Sequence, residues 1–247
     1  MRISIITATY NSEKTLHDTL LSLEKQTYDD IEYIIIDGAS KDNTLFVVRN
    51  CKRVTTIISE PDRGIYDALN KGIKVATGDV IGFLHSDDIL AYDDAITDVA
   101  ETFLNTGCDA VYGDLEYVSQ TDTAKRVRLW KSGAFSRKKM LLGWMPPHPS
   151  FYMKRSLYLE LGNFSLDYRI SADYDSLLRY ILKNKVSLAY LPKVLIKMRV
   201  GGISNRSFSS MVNKSLEDIR VMKSNGIIWP LALAYKNLSK LPQFIKK

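Results

Sequence analysis

The stretch Asp79-Val80-Ile81-Gly82-Phe83-Leu84-His85-Ser86-Asp87-Asp88-Ile89-Leu90 runs from a short apolar segment straight into four polar residues. Residues 80–84 have the length and composition of a buried strand, which stops abruptly at His85. Two adjacent carboxylates at a strand's exit repel each other and desolvate poorly, so they call for a cation, a helix N-terminus or open solvent. A divalent metal there would bring a ligand's phosphates with it. The plainer alternative makes Asp87 and Asp88 caps for the helix expected to start near Asp93.

The pattern upstream favours a ligand edge. Residues 2–7 read as a β-branched strand, followed by the turn residues Thr9 to Ser12 and a helix carried by Leu16, Leu20 and Leu23. Residues 31–36 form a second strand, closed by Asp37-Gly38-Ala39-Ser40 before a helix that starts around Asp42 to Thr44. A third strand over 55–59 leads through Glu60-Pro61-Asp62-Arg63-Gly64 into a helix over 65–76, and the strand over 80–84 follows. Strands and helices alternating at this pitch predict a parallel sheet covered on both faces. In such open sheets ligands bind beyond the carboxyl ends of the strands, where Thr7 to Asn11, Asp37, Glu60 to Arg63, Asp87 and Asp88 gather. Neither a Gly-x-Gly-x-x-Gly fingerprint nor a Walker A loop follows any of these strands, so phosphates would be held by metal and arginine instead.

The second half changes character. After a helix over 93–105, residues 110–114, 117–119 and 126–130 read as short strands of a smaller, antiparallel sheet. The segment Met145-Pro146-Pro147-His148-Pro149 is a rigid link into a strand over 150–153. Then come a helix entered through Arg169-Ile170-Ser171-Ala172-Asp173-Tyr174-Asp175, strands over 186–191 and 194–200, and the loop Gly201-Gly202-Ile203-Ser204-Asn205. The remainder is helical by pattern, with Leu231, Tyr235, Leu238, Leu241 and Ile245 as an apolar stripe flanked by Lys236, Lys240, Lys246 and Lys247.

Composition narrows the class. At 247 residues the chain suits one main domain with an appendage, and 45% hydrophobic with 25% charged residues argues against long disorder. A net charge of +6 suits anionic partners. The two cysteines, Cys51 and Cys108, have neither the number nor the spacing of a disulfide scaffold or zinc ribbon. No secretory leader is read, and the longest apolar run, 227–235, is far short of the roughly 20 residues of a membrane span. A cytoplasmic, non-spanning protein is expected. No nucleic-acid recognition module appears.

The chain resembles family 2 glycosyltransferases of the GT-A fold, particularly bacterial enzymes that build O-antigens, capsules and colanic acid. The resemblance rests on Thr7-Ala8-Thr9-Tyr10-Asn11, Asp37-Gly38-Ala39-Ser40-Lys41-Asp42, the run from Ser59 through Asp62, Arg63 and Tyr66 to Gly72, His85-Ser86-Asp87-Asp88, Ser171-Ala172-Asp173-Tyr174 and Gly201-Gly202-Ile203-Ser204. It implies a Rossmann-like α/β domain over 1–205, with a mostly parallel central sheet. Residues 1–114 would bind the nucleotide-sugar and 115–205 the acceptor, and 206–247 would form a basic helical extension.

The resemblance further implies an inverting transferase using a nucleotide-sugar, usually a UDP-sugar, with Mg²⁺ or Mn²⁺. Thr7, Ala8, Thr9 and Asn11 would contact the donor nucleotide, Thr7 and Thr9 lining the base and ribose pocket, and Asp37 would accept a hydrogen bond from the base. Arg63 would lie toward the diphosphate. Asp88 would be the metal ligand with Asp87 beside it, although His85 stands where the common pattern has an acid, leaving open which of the three touches the metal. Asp173 would be the general base, with Asp175 as its rival and a helix N-cap as the plain alternative. His148 is a candidate contact of metal, diphosphate or acceptor, or else structural, and Arg199 with the Gly201-Gly202 loop suits a lid over the donor. The implied acceptor is a polyprenyl-diphosphate-linked glycan. The basic C-terminal helices would touch an anionic bilayer, or pack on the domain or on a second copy of the chain. A non-catalytic nucleotide-sugar-binding protein and a sugar-nucleotide pyrophosphorylase are the alternatives, the latter lacking its Gly-rich signature here.

Overall fold

The computed structural model describes residues 1–201 and 208–238. Gly202, Ile203 and Ser204, and Lys240, Leu241, Ile245, Lys246 and Lys247 of the expected stripe, lie outside the described residues.

Strands β1 (Ile3–Thr9), β2 (Ile31–Asp37), β3 (Val54–Ser59) and β4 (Val80–Phe83) pair in parallel in the order β3-β2-β1-β4. Their register sets Thr9 opposite Asp37 and Ile6 opposite Phe83, so the carboxyl ends of β1, β2 and β4 fall on one edge. Near-continuous isoleucine in β1 and β2 reflects burial on both faces. Ile6, Ile34, Ile36 and Phe83 pack on one side with α3 (Ile65–Val75), while Ile3, Ile5, Tyr33 and Ile35 pack on the other with α1 (Leu16–Glu24) and α4 (Ala95–Thr106). Each such side chain contributes roughly 1.5–3 kcal/mol on burial. The helix α2 (Thr44–Arg49) is shorter than the others of this half.

Beyond β4 the sheet turns mixed. It continues through β8 (Phe151–Lys154), β6 (Ala110–Val118), β9 (Leu188–Arg199) and the short β5 (Asp88–Leu90). The strand β8 runs antiparallel to both β4 and β6, β9 parallel to β6, and β5 antiparallel to β9, while β7 (Arg126–Trp130) pairs antiparallel with β6. The expected separate small sheet is therefore corrected: residues 110–118 are one strand inside the main sheet, and 188–199 are likewise one strand. Register shifts at Tyr112/Asp114 and Asp114/Leu115 break the sequence pattern without breaking the pairing, which is why the pieces read as separate.

Asp87 and Asp88 cap no helix, because β5 begins at Asp88 and the N-cap of α4 is Asp94. Short helices α5 (Arg137–Leu141) and α6 (Arg155–Leu161) were not legible by periodicity. The helix α7 (Ala172–Leu178) continues as a π-helical turn over Arg179–Lys183. In the C-terminal part, α8 (Phe208–Ser224) and α9 (Trp229–Leu238) pack on the catalytic body, with Val221, Met222, Ile227 and Ala232 joining its core. Lys236 is not one of the expected surface charges. It is buried and ion-paired with Asp218 at 2.9 Å, whereas Leu231 and Leu238 of the stripe stay exposed. No helix among the described residues is long and apolar enough to cross a membrane.

Candidate active site

The loops leaving β1, β2 and β4 are stitched together by short polar side chains. Asn11 adopts a left-handed conformation (φ 48°), its N–H donating to Ser40 Oγ at 2.9 Å while its Oδ1 accepts from Lys41 N at 2.9 Å. Ser12 Oγ and Ser86 Oγ lie 3.0 Å apart, and Thr15 Oγ1 donates to the Ser86 carbonyl at 2.9 Å. An L-residue in that region is uncommon and strained, and Asn tolerates it best.

Asp37 ends β2 fully buried, and four donors surround it: Thr9 Oγ1 (3.1 Å), Ser40 N (3.0 Å), Ser59 Oγ (2.7 Å) and Ser40 Oγ. Thr7 is buried in the sheet, its hydroxyl donating to the Leu84 carbonyl at 2.6 Å and lying 3.0 Å from Tyr33 Oη. Ala8 packs against the core and Thr9 holds Asp37, so Thr7 and Ala8 brace the edge from behind. Tyr10, 64% exposed, flanks the cleft, and Gly38 leaves the space there: a Cβ on it would meet Asp62 Oδ2 at 2.6 Å and the Tyr10 ring at 3.3 Å. Asp62, one of the strand-end residues expected at this edge, therefore lies against Gly38 and Tyr10, its other oxygen accepting Gly64 N at 2.8 Å. Arg63 itself points outward, 76% exposed and 3.5 Å from Asp67.

The second half of the site forms beyond β4. Asp88 is 1% exposed, and among the described residues neither carboxylate oxygen has a hydrogen-bond partner. Burial pushes its carboxyl well above the usual carboxylate range, the charge of Asp87 adds to the shift, and Arg199 opposes it. Arg199 is buried, donating to the Asp87 carbonyl at 3.0 Å and pairing with Asp18, so it is anchored rather than free to swing with a lid. His148 lies under the rim, with ring contacts to Phe83 at 5.1 Å, Phe164 at 5.4 Å and His85 at 5.9 Å, and its Nε2 has no partner among the described residues. Burial pulls its pKa down to about 4, with His85 adding to the fall and Asp173 opposing it. His85 is lowered by burial as well, against the pull of Asp87 and Asp173.

Asp173 stands in the first turn of α7 and is not its N-cap, which is Ser171. Its Oδ1 accepts the Tyr174 N–H at 2.8 Å and lies 3.2 Å from the Tyr66 hydroxyl, while its Oδ2 takes no hydrogen bond among the described residues. The rival Asp175 is engaged elsewhere, with Asn225 Nδ2 at 2.9 Å and Arg179 at 3.9 Å. His85 is within electrostatic reach of Asp87 and Asp173, His148 of Asp173 and His85, and Asp88 of Asp87 and Arg199, while Asp37 ends β2, two strands from β4.

Among the described residues no three His, Cys, Asp or Glu side chains converge as a ready-made metal cage. A divalent ion that bridges diphosphate oxygens needs only one or two protein carboxylates. The partnerless Asp88 carboxylate, with Asp87 next to it, fits that requirement.

The sequence profile described as glycosyl transferase family 2 matches residues 4–170. The chain is 33% identical over 209 residues to the PGL/p-HBAD biosynthesis glycosyltransferase of Mycobacterium tuberculosis H37Rv, covering 82% of this chain and 78% of that protein. Among solved structures it resembles Staphylococcus aureus TarS residues 1–349 in complex with UDP-GlcNAc (TM-score 0.68, 17% identity, 96% of this chain and 70% of that one). It also resembles the mannosyltransferase PcManGT from Pyrobaculum calidifontis in complex with GDP-Man and Mn²⁺ (TM-score 0.68, 18% identity, 99% of this chain and 73% of that one). At such identities the likeness speaks for a common GT-A fold. The chain spans 39% of the longer TarS chain.

Proposed function

The chain belongs to glycosyl transferase family 2, and from that premise we propose that it is a metal-assisted inverting transferase moving a sugar from a UDP-sugar to a hydroxyl of a lipid-linked glycan in surface polysaccharide synthesis. The observation that carries the reading is the buried Asp88 carboxylate, both of whose oxygens lack a partner among the described residues. An unpaired buried carboxylate is expensive to keep, so an arrangement that keeps one is explained by a cation arriving with the ligand.

In this reading Asp37 receives the base, its acceptor capacity already oriented by Thr9, Ser40 and Ser59. Asp62, Asn11 and Tyr10 form the outer wall of the nucleotide pocket. Asp88 and Asp87 hold the ion, Mg²⁺ or Mn²⁺, which when bound supplies positive charge for the departing diphosphate. Arg199 fixes Asp87 through its carbonyl and offsets the carboxylate charge of Asp88. At Asp173, Oδ1 is occupied by Tyr174 N and Tyr66, which leaves Oδ2 to take the acceptor's proton. The acceptor oxygen then forms its bond to C1 as the C1–O bond to the diphosphate breaks on the opposite face, the electron pair leaving with the diphosphate. General-base assistance of this kind contributes about 10² to 10⁴ in rate. His148, held neutral by burial, presents an uncharged imidazole to the cleft.

The test is a panel of UDP- and GDP-sugars assayed for metal-dependent UDP or GDP release with the intact enzyme and with Asp88→Ala and Asp173→Asn. The expected result is turnover of at least one UDP-sugar that both substitutions depress by about 10²-fold or more. Undiminished turnover in both variants overturns the assignment.

A further inference from the structure

Beyond the segment matched by the family profile, α8 reaches back to the loop that delivers Asp173. Glu217 accepts three consecutive backbone N–H groups: Arg169 on Oε1 at 3.1 Å, and Ile170 and Ser171 on Oε2 at 2.8 and 2.9 Å. Its neighbour Asp218, 4% exposed, accepts the Ser171 hydroxyl at 2.9 Å. Asp218 is in turn held by Lys236 of α9 at 2.9 Å and Lys214 at 3.4 Å, and Lys236 Nζ lies 3.7 Å from the centroid of the Tyr174 ring. From the opposite side, the Tyr66 hydroxyl of α3 donates to the Ile170 carbonyl at 2.6 Å. Ile170 is therefore gripped at its N–H by the C-terminal extension and at its C=O by the nucleotide-binding half.

Of these groups only the Tyr66 hydroxyl also reaches Asp173; the Glu217 and Asp218 carboxylates act on the residues before it. Shielded backbone N–H groups need acceptors, and a carboxylate meeting several of them forms charge-assisted bonds stronger than neutral ones. The seven residues of α7 are too few to hold their own entry geometry, since short helices draw their stability from tertiary contacts. Burial alone would push Asp218 up, yet the charges of Lys236 and Lys214 and the Ser171 hydroxyl hold it below its usual range, keeping it an acceptor.

We infer that Glu217 and Asp218 are positioning residues for the transfer, making the C-terminal extension part of the catalytic apparatus rather than an appendage. Their carboxylates fix residues 169–171 so that Asp173 enters the cleft with Oδ1 on Tyr66 and Oδ2 free. The inference rests on Asp173 being the base proposed above.

A double-mutant cycle tests it, following UDP release from the UDP-sugar that turns over in the panel. Misplacement of a reacting group by about 1 Å can cost about 10²-fold, so Glu217→Ala is expected to lower kcat by about 10- to 100-fold with the donor KM unchanged. In an Asp173→Asn background the same substitution is expected to lower kcat less than about twofold, because a base already removed cannot be misplaced. Glu217→Gln, which keeps one acceptor oxygen, restores much of the loss. Equal loss in both backgrounds, or no loss in either, overturns the inference. Full turnover in Asp173→Asn alone instead overturns the base assignment, so the two failures are read separately. Should Glu217→Ala not fold, Ser171→Ala, which severs only the Asp218 bond, passes through the same cycle with the same readings.

Discussion

The Tyr66 hydroxyl lies 3.2 Å from Oδ1 of Asp173, joining the helix after β3 to the start of α7 across 107 positions of sequence. Tyr66 also donates to the Ile170 carbonyl and packs its ring, tilted by 38°, against Phe164 at 5.5 Å, so the contact belongs to a packed unit and not to a loose surface pair.

Tyr66→Phe keeps the ring and removes the hydroxyl. It is expected to cost about 1 kcal/mol of stability, the usual net worth of a hydrogen bond. Because Oδ1 of Asp173 then keeps only the Tyr174 N–H, kcat should fall while the donor KM holds. Steady-state kinetics beside a urea titration separate the two effects.

Asp88→Asn replaces a buried carboxyl, whose ionisation burial opposes, by a neutral amide of the same shape. The ligand-free variant is expected to be more stable than the parent, with Tm rising about 2–4 °C for each kcal/mol gained in a chain of this size. The same variant should lose the further stabilisation that UDP plus Mn²⁺ gives the parent. Differential scanning fluorimetry with and without UDP and Mn²⁺ reads both, and an unchanged response to the pair would remove Asp88 as a ligand.

The pH dependence carries a signature of His148, whose pKa is pushed from 6.5 down to about 4 by burial. Between those values the unfolded chain binds a proton that the folded protein refuses, so stability is fully present above about pH 6.5 and drains away as pH falls toward 4. The loss at pH 5 relative to pH 7.5 amounts to about 2 kcal/mol. A His148→Leu variant should show a shallower fall, the remainder coming from His85, whose burial acts in the same direction. Denaturant midpoints at the two pH values give the comparison.

Gly82→Ala tests the strand that delivers His85 to Asp88. An added Cβ would come within 2.3 Å of the buried Tyr152 ring, a contact that neither strand can relieve without moving. Overpacking of this kind costs about 1–3 kcal/mol, so the urea midpoint should drop by a corresponding amount. The donor-binding edge beyond Phe83 should shift with it, raising the donor KM.

The sequence by itself determined the βα alternation of residues 3–83, because strands buried on both faces must be apolar throughout and helices must show their period. It also marked Asp37 and Asp88, since carboxylates at strand exits interrupt those patterns, whereas Asp173 was singled out by the family resemblance. What the chain order could not contain was which distant groups meet. That Arg199 is tied to Asp18 and Asp87, and that β6 and β9 pair inside the main sheet, follow from pairings between segments tens to hundreds of residues apart. Lys236 read as a surface charge because a lysine on an amphipathic helix usually is one. Only the position of Asp218, fixed when α8 packs on the body, made burial of that amine favourable. Local pattern is set by the chain's own periodicity, whereas the pairing of buried charges depends on where tertiary packing removes water.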